Sequence, residues 1–247
     1  MSAPPVLQRH GDQPEWASLA IAGGIIGLWG ASTAILFTIN LQEIPWVVKV
    51  LLLLWQTFLY TGLFITAHDA MHGAVYPPNR RVNDGVGILV LKLYGLFSFK
   101  TLLQRHILHH QFPVSEVDPD YQPSGFIGWY WAFMTRYWSW TRFAALVLMF
   151  HVIHGVLGVA EVNLAWFWVY PSVLSSLHLF YFGTYLPHRQ PKGGYLDEHR
   201  STTIRRPWLL SLLACYHFGY HHEHHLFTDV PWWQLPKAYR QQGYLDV

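Results

Sequence analysis

The chain has 247 residues and a mass of 28.7 kDa; 52% of its residues are hydrophobic and only 12% are charged. Soluble domains carry about 25% charged residues, so this composition argues against a soluble globular protein. Sixteen Lys and Arg residues against fourteen Asp and Glu give a formal net charge of +2, which excludes the strong basic field of a nucleic-acid-binding protein.

Four stretches with few or no charged residues are long enough to cross a membrane as helices, for which about 20 apolar residues are needed. They cover residues 17–39, 46–66, 143–160 and 164–186. A very short turn around Glu161 separates the last two stretches. The sequence therefore predicts four transmembrane helices arranged as two hairpins, the second of them antiparallel.

Two further apolar stretches, residues 85–97 and 208–216, are too short to span a membrane alone and predict interfacial helices. The thirteen Trp and fourteen Tyr residues suit the aromatic belts found at membrane surfaces. The sequence contains no internal repeat and no low-complexity linker. We therefore expect an all-α integral membrane protein with a single domain over residues 1–247.

Basic residues are distributed asymmetrically about the predicted spans. Seven lie in residues 67–142, seven in residues 187–247, and Arg9 precedes the first span, whereas loops 40–45 and 161–163 contain none. By the positive-inside rule, the side that holds these fifteen residues faces the cytoplasm. We expect both termini on this side, together with a histidine-rich cap.

Ten of the sixteen histidines lie in three short segments: HDAMH at 68–72, RHILHH at 105–110 and HFGYHHEHH at 217–225. Spacings of three and four residues place imidazoles on one side of a helix, where two rings can reach a common metal. Two ligands from the first segment and three from each of the others give eight, which suits two metal ions better than one. The eight candidate ligands are His68, His72, His106, His109, His110, His221, His224 and His225.

Several residues beside these ligands are candidates for a supporting role. Carboxylates next to ligating imidazoles often accept the second ring N–H, which predicts this role for Asp69 and Glu223. His217 lies one turn before His221 and is either a ligand or a neighbour of one. Asp118 and Asp120, in the sequence DPDY, form either a simple turn or part of the site.

The type of metal follows less directly, because imidazole binds zinc, copper, iron and nickel. A single cysteine, Cys215, leaves no thiolate set for zinc or an iron–sulfur cluster. The H-E-x-x-H motif of zinc hydrolases is absent, since Leu226 stands where its second histidine would be. HDAMH imitates that motif with Asp69, so a zinc-dependent intramembrane hydrolase stays an open alternative. A non-catalytic metal-handling protein is another.

Interhelical hydrogen bonding is the favoured interpretation of the histidines inside the spans, which are His151, His154 and His178.

The three histidine segments, flanked by paired apolar helices, resemble the membrane-bound fatty acid desaturase/hydroxylase superfamily of di-iron oxygenases. Finer features are similar to its beta-carotene ketolase branch. They are LWQTFLYTGLFITAHDAMHG at 54–73, the HH-x-x-P and DPDY run at 109–121, LFYFGTYLPH at 179–188, and CYHFGYHHEHHLF with PWWQLP at 215–236. These segments extend over about two-thirds of the chain.

The resemblance implies a ninth ligand, His188, although a single histidine beside a proline at a helix end is more often an interfacial polar residue. It also strengthens the interpretation of Asp118 and Asp120 as catalytic residues. It implies two iron ions, O2 as co-substrate, reduced ferredoxin as electron donor, and beta-carotene as substrate, which is oxidised through echinenone to canthaxanthin. A carotenoid ring hydroxylase and a fatty acid desaturase would use the same histidines and remain alternatives.

Overall fold

The computed structural model describes residues 14–242, so Arg9 and the predicted position of the two termini lie outside the described residues. Among residues 14–242 the chain forms helices and turns and no strand, which confirms the predicted all-helical class. The helices are α1 (Ala17–Leu36), α2 (Trp46–Met71), α3 (Arg80–Gly95), α4 (Phe99–Gln111), α5 (Phe126–Arg136), α6 (Trp140–Leu157), α7 (Glu161–Leu164), α8 (Tyr170–Leu179), α9 (Leu186–His188), α10 (Trp208–Cys215), α11 (His221–Leu226) and α12 (Leu235–Gln241).

Three of these helices, α1, α2 and α6, are long and apolar enough to cross a membrane, and the bent pair α3 and α4 gives a fourth candidate if it forms one broken span. The structure therefore agrees with a membrane protein. The predicted count of four spans, their pairing in two hairpins and the histidine-rich cap remain predictions. The single domain over residues 1–247 also remains one.

Helix α2 is the centre of the fold and packs against α1, α3 and α8. Side-chain hydrogen bonds join it to its neighbours, as is usual where lipid supplies no hydrophobic driving force between helices. Gln56 bonds to Ser32 and Thr33 of α1, each at 2.7 Å. On the opposite side, the Thr61 hydroxyl lies 3.1 Å from the Ser175 hydroxyl of α8. These contacts hold the C-terminal end of α2, which carries the first histidine segment, in one position.

The predicted interfacial helix at 85–97 is the second half of α3, which is followed by a bend of 100° into α4. Leu96 adopts a left-handed backbone conformation at this bend, with a φ of 58°. Ser98 then accepts a hydrogen bond from the Thr101 amide and caps the start of α4. The bend directs the second histidine segment back toward the end of α2.

The predicted fourth span at 164–186 is helical but not a regular α-helix. Two π-helical segments, Ala165–Val169 and Phe180–Tyr185, alternate with α7, α8 and α9. Pro171 and Pro187 follow these segments and lack the amide that an α-helix needs, which explains why the hydrogen-bond pattern widens before them. The result is a helical path from residue 161 to residue 188 that ends at a histidine.

The close packing of α2, α3 and α4 depends on Gly87. A Cβ atom at this position would lie 2.3 Å from the Phe99 ring and 2.9 Å from Ala70 Cβ, whereas a Cβ atom at Gly85 of the same helix would meet nothing within 4 Å. We predict that Gly87→Ala destabilises the protein by about 1–3 kcal/mol through overpacking. Gly85→Ala should leave the stability unchanged or raise it slightly, because alanine favours helix more than glycine does.

Thermal unfolding of both variants in detergent tests this prediction. Equal unfolding temperatures for Gly87→Ala and Gly85→Ala would contradict the described packing of α3.

Candidate metal centre

The three predicted histidine segments meet at one place. The first lies at the end of α2, the second on α4 and the third on α11, while His188 arrives at the end of α9. Two groups of imidazole nitrogens are close enough to hold one ion each, with all ligand atoms of a group within 4.8 Å of one another. Cluster A consists of His68, His72, His106, His110 and His224, and cluster B of His109, His188, His221 and His225.

In cluster A the ε nitrogens face one another. His106 Nε2 lies 2.7 Å from His72 Nε2 and 3.1 Å from His110 Nε2, and His110 Nε2 lies 3.0 Å from His224 Nε2. The fifth member, His68, is buried, and neither of its ring nitrogens has a hydrogen-bond partner among the described residues. Its lone pair is thus free to bind an ion.

In cluster B the ε nitrogens also face one another, and the cluster adjoins cluster A. His221 Nε2 lies 2.9 Å from His188 Nε2 and 3.2 Å from His225 Nε2. The rings of His110 and His225, one from each cluster, stack with their centroids 4.2 Å apart. All four rings of cluster B are buried, so the two clusters form one continuous patch of imidazole inside the protein.

Hydrogen bonding among the rings does not account for this arrangement. A ring nitrogen carries either one N–H or one lone pair and takes part in a single hydrogen bond, yet His106, His110 and His221 each direct one nitrogen at two partners. Imidazoles that bind an ion at about 2.0–2.1 Å place neighbouring nitrogens about 2.8–3.4 Å apart in tetrahedral or octahedral geometry. The observed separations match, so the donor set fits two metal ions.

Burial keeps these imidazoles in the form that binds metal. It lowers the pKa of His221, His224 and His225 well below the usual range, and the neighbouring rings lower it further. A neutral imidazole offers a lone pair to a metal, whereas the protonated ring does not. Among the described residues neither cluster contains a carboxylate; Asp118 and Asp120 form a separate group of possible metal ligands with His109.

Asp118 orients a histidine of cluster B. His109 Nδ1 donates to its carboxylate, whose oxygens lie 3.0 and 3.1 Å away, and the amides of Val114 and Asp120 donate to the same group at 2.8 Å. Burial alone would raise the pKa of Asp118, but these hydrogen bonds outweigh it and lower the pKa below its usual range. The ionised carboxylate fixes the proton on Nδ1 and turns Nε2 of His109 into cluster B.

Asp120 has a different environment. It accepts a hydrogen bond from the Tyr137 hydroxyl at 2.5 Å, and its carboxylate lies 4.0 Å from His109 Nδ1. Burial raises the pKa of Asp120, and burial together with this carboxylate raises the pKa of Tyr137. The DPDY sequence is thus both a turn and a neighbour of cluster B.

Arg136 and Tyr137 support the DPDY turn and were not predicted from the sequence. Arg136 donates to the backbone oxygen of Tyr121 at 2.5 Å and to Gln122 Oε1 at 2.6 Å. Both residues lie in the segment WYWAFMTRYWSW, whose composition predicts only an aromatic interfacial belt. The one available signal was an arginine next to a tyrosine in a predominantly apolar segment.

The three other predicted supporting residues are buried close to the histidine segments, but none contacts a ring nitrogen of a cluster histidine within hydrogen-bond distance among the described residues. Asp69 accepts from the Trp232 amide and lies 3.8 Å from His68 Nδ1. Glu223 accepts from the Thr203 hydroxyl at 2.6 Å, and His217 Nδ1 lies 3.0 Å from the Ser211 hydroxyl. These contacts join α2, α10 and α11 to adjacent segments of the same chain.

Of the three histidines predicted to form hydrogen bonds between helices, one does so among the described residues. His178 Nδ1 lies 3.1 Å from the Thr61 hydroxyl, which is the interhelical contact expected of it. His154 instead bonds to the Val159 backbone oxygen, just beyond the end of its own helix. For His151 no hydrogen bond to a described residue is seen, and its side chain is exposed.

A cavity of ≈ 190 Å³ opens beside the two clusters. Four histidines form one wall, His68 and His106 from cluster A and His109 and His221 from cluster B. The apolar part of the lining includes Phe64, Ile65, Met71, Phe97, Leu179 and Phe218. An engineered cavity of about 150 Å³ binds benzene, so this cavity has room for one six-membered ring and a few more carbon atoms.

Comparison with known proteins accounts for this combination of helices and histidines. The model of the fatty acid desaturase family matches residues 44–243. The chain belongs to the fatty acid desaturase family. The match includes all nine histidines of clusters A and B and both aspartates of the DPDY turn.

Within this desaturase family the chain is similar to ketolases. It is 41% identical over 223 residues to the beta-carotene ketolase of Paracoccus sp. strain N81106 / MBIC 01143, covering 90% of this chain and 91% of the relative. Identity to the enzyme of the same name from Paracoccus sp. strain PC1 is 44% over 197 residues, or 78% and 80% of the two chains. The zeaxanthin 4-ketolase of Chlamydomonas reinhardtii is 36% identical over 236 residues, or 89% of this chain and 52% of the relative. The expected resemblance to the ketolase branch, and with it an oxygenase-type oxidoreductase, is confirmed.

The contact between Asp118 and His109 can be tested by its effect on metal binding. We predict that Asp118→Asn lowers metal affinity by about 10- to 100-fold, because the amide no longer fixes the tautomer of His109. Exposed Glu116, in the same loop, offers the matched control Glu116→Gln, which should bind metal like the unaltered protein.

Metal retained by each purified protein after dialysis against increasing chelator concentrations, measured by inductively coupled plasma mass spectrometry, gives the answer. Equal retention by Asp118→Asn and Glu116→Gln would contradict the role assigned to Asp118.

Proposed function

We propose that this protein is a di-iron oxygenase that introduces a keto group at position 4 of the beta-ionone rings of carotenoids, converting beta-carotene through echinenone to canthaxanthin. The observation that carries the proposal is the position of an apolar, ring-sized cavity directly against two all-histidine clusters. The similarity to beta-carotene ketolases supports the substrate class.

The nine histidines of clusters A and B are proposed to hold two iron ions, five at one ion and four at the other. Imidazole is a common ligand of iron, and its neutrality leaves the ions their full positive charge. When bound, the iron pair supplies the activation of dioxygen for attack on a C–H bond. Asp118 acts through His109 and is a positioning residue.

The cavity is proposed to bind one end of the carotenoid. Its apolar walls exclude water and match a hydrocarbon ring. Asp120 reaches both the cavity and the neighbourhood of His109 and is held there by Tyr137. We assign Asp120 a catalytic role, because it is the carboxylate that a bound ring would meet next to the histidines.

Oxidation at position 4 proceeds in two stages in this proposal. Each stage inserts one oxygen atom from O2 into an allylic C–H bond and consumes two electrons and two protons, with water as the second product. The resulting geminal diol loses water to give the ketone. Reduced ferredoxin is the proposed electron donor.

We also propose that the metal centre and both termini lie on the cytoplasmic side of the membrane. The support is the distribution of basic residues, fifteen of sixteen on that side of the predicted spans. A soluble donor of electrons would then have direct access to the side that holds the histidines.

Expression in a bacterium that accumulates beta-carotene tests the activity. We expect echinenone and canthaxanthin in the pigment extract, separated by chromatography and identified by their absorption spectra. His224→Ala should lower their yield by more than about 100-fold, because ligand loss costs more than loss of a neighbouring carboxylate. His154→Ala changes a histidine at the far end of α6 and should leave the yield unchanged.

Absence of ketocarotenoids, with protein present in the membrane, would refute the ketolase assignment. Full activity of His224→Ala would refute the ligand assignment alone.

Metal analysis tests the cofactor separately. We expect about two iron atoms per chain in protein purified from iron-supplied cells, and loss of both on treatment with a chelator. Zinc as the main metal, together with activity in the absence of oxygen and reductant, would contradict the oxygenase.

A further inference from the structure

A second pocket, of ≈ 510 Å³, adjoins the ring-sized cavity where α3 meets α4 and α5 meets α6. We name it the basic pocket, because four cationic side chains line it and no carboxylate of the described residues does. The four are Lys92, Arg105, Arg136 and Arg142. Such a concentration of one sign of charge marks a site for an anion.

The arginines of the basic pocket are held in place without being neutralised. Arg105 donates to the Arg136 backbone oxygen at 2.6 Å and lies over the Tyr137 ring, 4.8 Å from its centroid. Arg142 donates to the Tyr137 backbone oxygen at 2.6 Å and stacks 3.7 Å from the centroid of Phe97. Their hydrogen-bond and ring partners among the described residues are neutral, and Asp120, whose charge interacts with that of Arg105, forms no ion pair with it, so positive charge remains available to a ligand.

Two helix N-termini add to this charge. Ser98 and Thr101 from the start of α4, and Ser139 and Thr141 from the start of α6, line the same pocket. Each N-terminus carries the equivalent of about half a positive charge and favours a phosphate group. The hydroxyl groups are paired, Thr101 with Ser98 and Ser139 with Thr141, and each pair keeps one O–H for a ligand.

The surroundings of the basic pocket suit a lipid. Helix α6 is a candidate span without a single buried residue, so its sides are open to the bilayer. Trp138 and Trp140, 46% and 74% exposed, stand at its start, as tryptophans do at the membrane surface. Leu96, Phe97 and Ala145 give the pocket an apolar wall beside the cations.

We propose that the basic pocket binds an anionic phospholipid, with the phosphate among the four cations and an acyl chain against the apolar wall. Five residues line both this pocket and the ring-sized cavity: Phe97, Leu102, Tyr137, Trp138 and Arg142. The bound lipid therefore stands at the edge of the cavity. Its binding goes beyond the proposed reaction and does not depend on it.

Lipid binding is measured on the purified full-length protein by native mass spectrometry, with dioleoylphosphatidylglycerol and dioleoylphosphatidylcholine as competing probes. We expect one phosphatidylglycerol to be retained preferentially. Lys92→Gln with Arg105→Gln should weaken its binding about 25-fold, at about fivefold for each cation removed. The matched control, Lys100→Gln with Lys237→Gln, removes two cations outside the pocket and should change nothing.

The single variant Lys92→Glu keeps the proposal testable if the double variant does not fold. Lys92 is exposed on α3, so its substitution should not disturb packing. It should weaken phosphatidylglycerol binding more than fivefold while the unfolding temperature stays unchanged.

Three results would overturn the proposal. One is equal retention of phosphatidylglycerol and phosphatidylcholine by the unaltered protein. Another is displacement of the lipid by 10 mM inorganic phosphate, which would make this a site for a free anion. The third is unaltered lipid binding in both variants together with weaker binding of plant-type ferredoxin, measured by titration without turnover, which would assign the surface to the electron donor. Since lipid binding needs no turnover, failure of the ketolase assay leaves this test intact.

Discussion

Nine imidazoles converge on one space inside the protein, and the separations between their nitrogens fit rings that share metal ions better than rings that hydrogen-bond to one another. This constraint shapes the rest of the molecule. The rings come from four segments of the chain, the ends of α2 and α9 and the helices α4 and α11, and each ring must turn one nitrogen toward the others. For His109 the Asp118 carboxylate meets that need, and for His188 the Arg200 backbone oxygen does so at 2.9 Å. The fold is best understood as a scaffold for these directions.

The helices meet this demand by departing from regular geometry. The left-handed Leu96 lets α4 turn back toward the end of α2. The π-helical segments before Pro171 and Pro187 change the rotation of the chain and deliver His188 to cluster B. Polar contacts between α1, α2 and α8 then fix these pieces inside a lipid-facing protein, where burial of apolar surface alone specifies little.

Composition and spacing predicted the helical class, the apolar stretches and the histidine segments, because these depend on local pattern. The division of the ligands was not predictable. His109 and His110 are adjacent in sequence but point about 100° apart on a helix, so they enter different clusters, and that requires knowing what packs on each side. The bend at Leu96 was equally hidden, since leucine gives no signal for a left-handed turn. The contact of Tyr137 with Asp120 was also unpredictable, because it depends on α5 lying over the DPDY turn.

The size of the cavity has a consequence for how such an enzyme would meet its substrate. A space of ≈ 190 Å³ admits a ring but not a long polyene, so most of a bound carotenoid would stay dissolved among the lipid chains. Encounter would then occur by lateral diffusion in two dimensions. The relevant substrate concentration becomes a mole fraction of the bilayer, and dilution with inert lipid would slow turnover at a constant amount of substrate per volume.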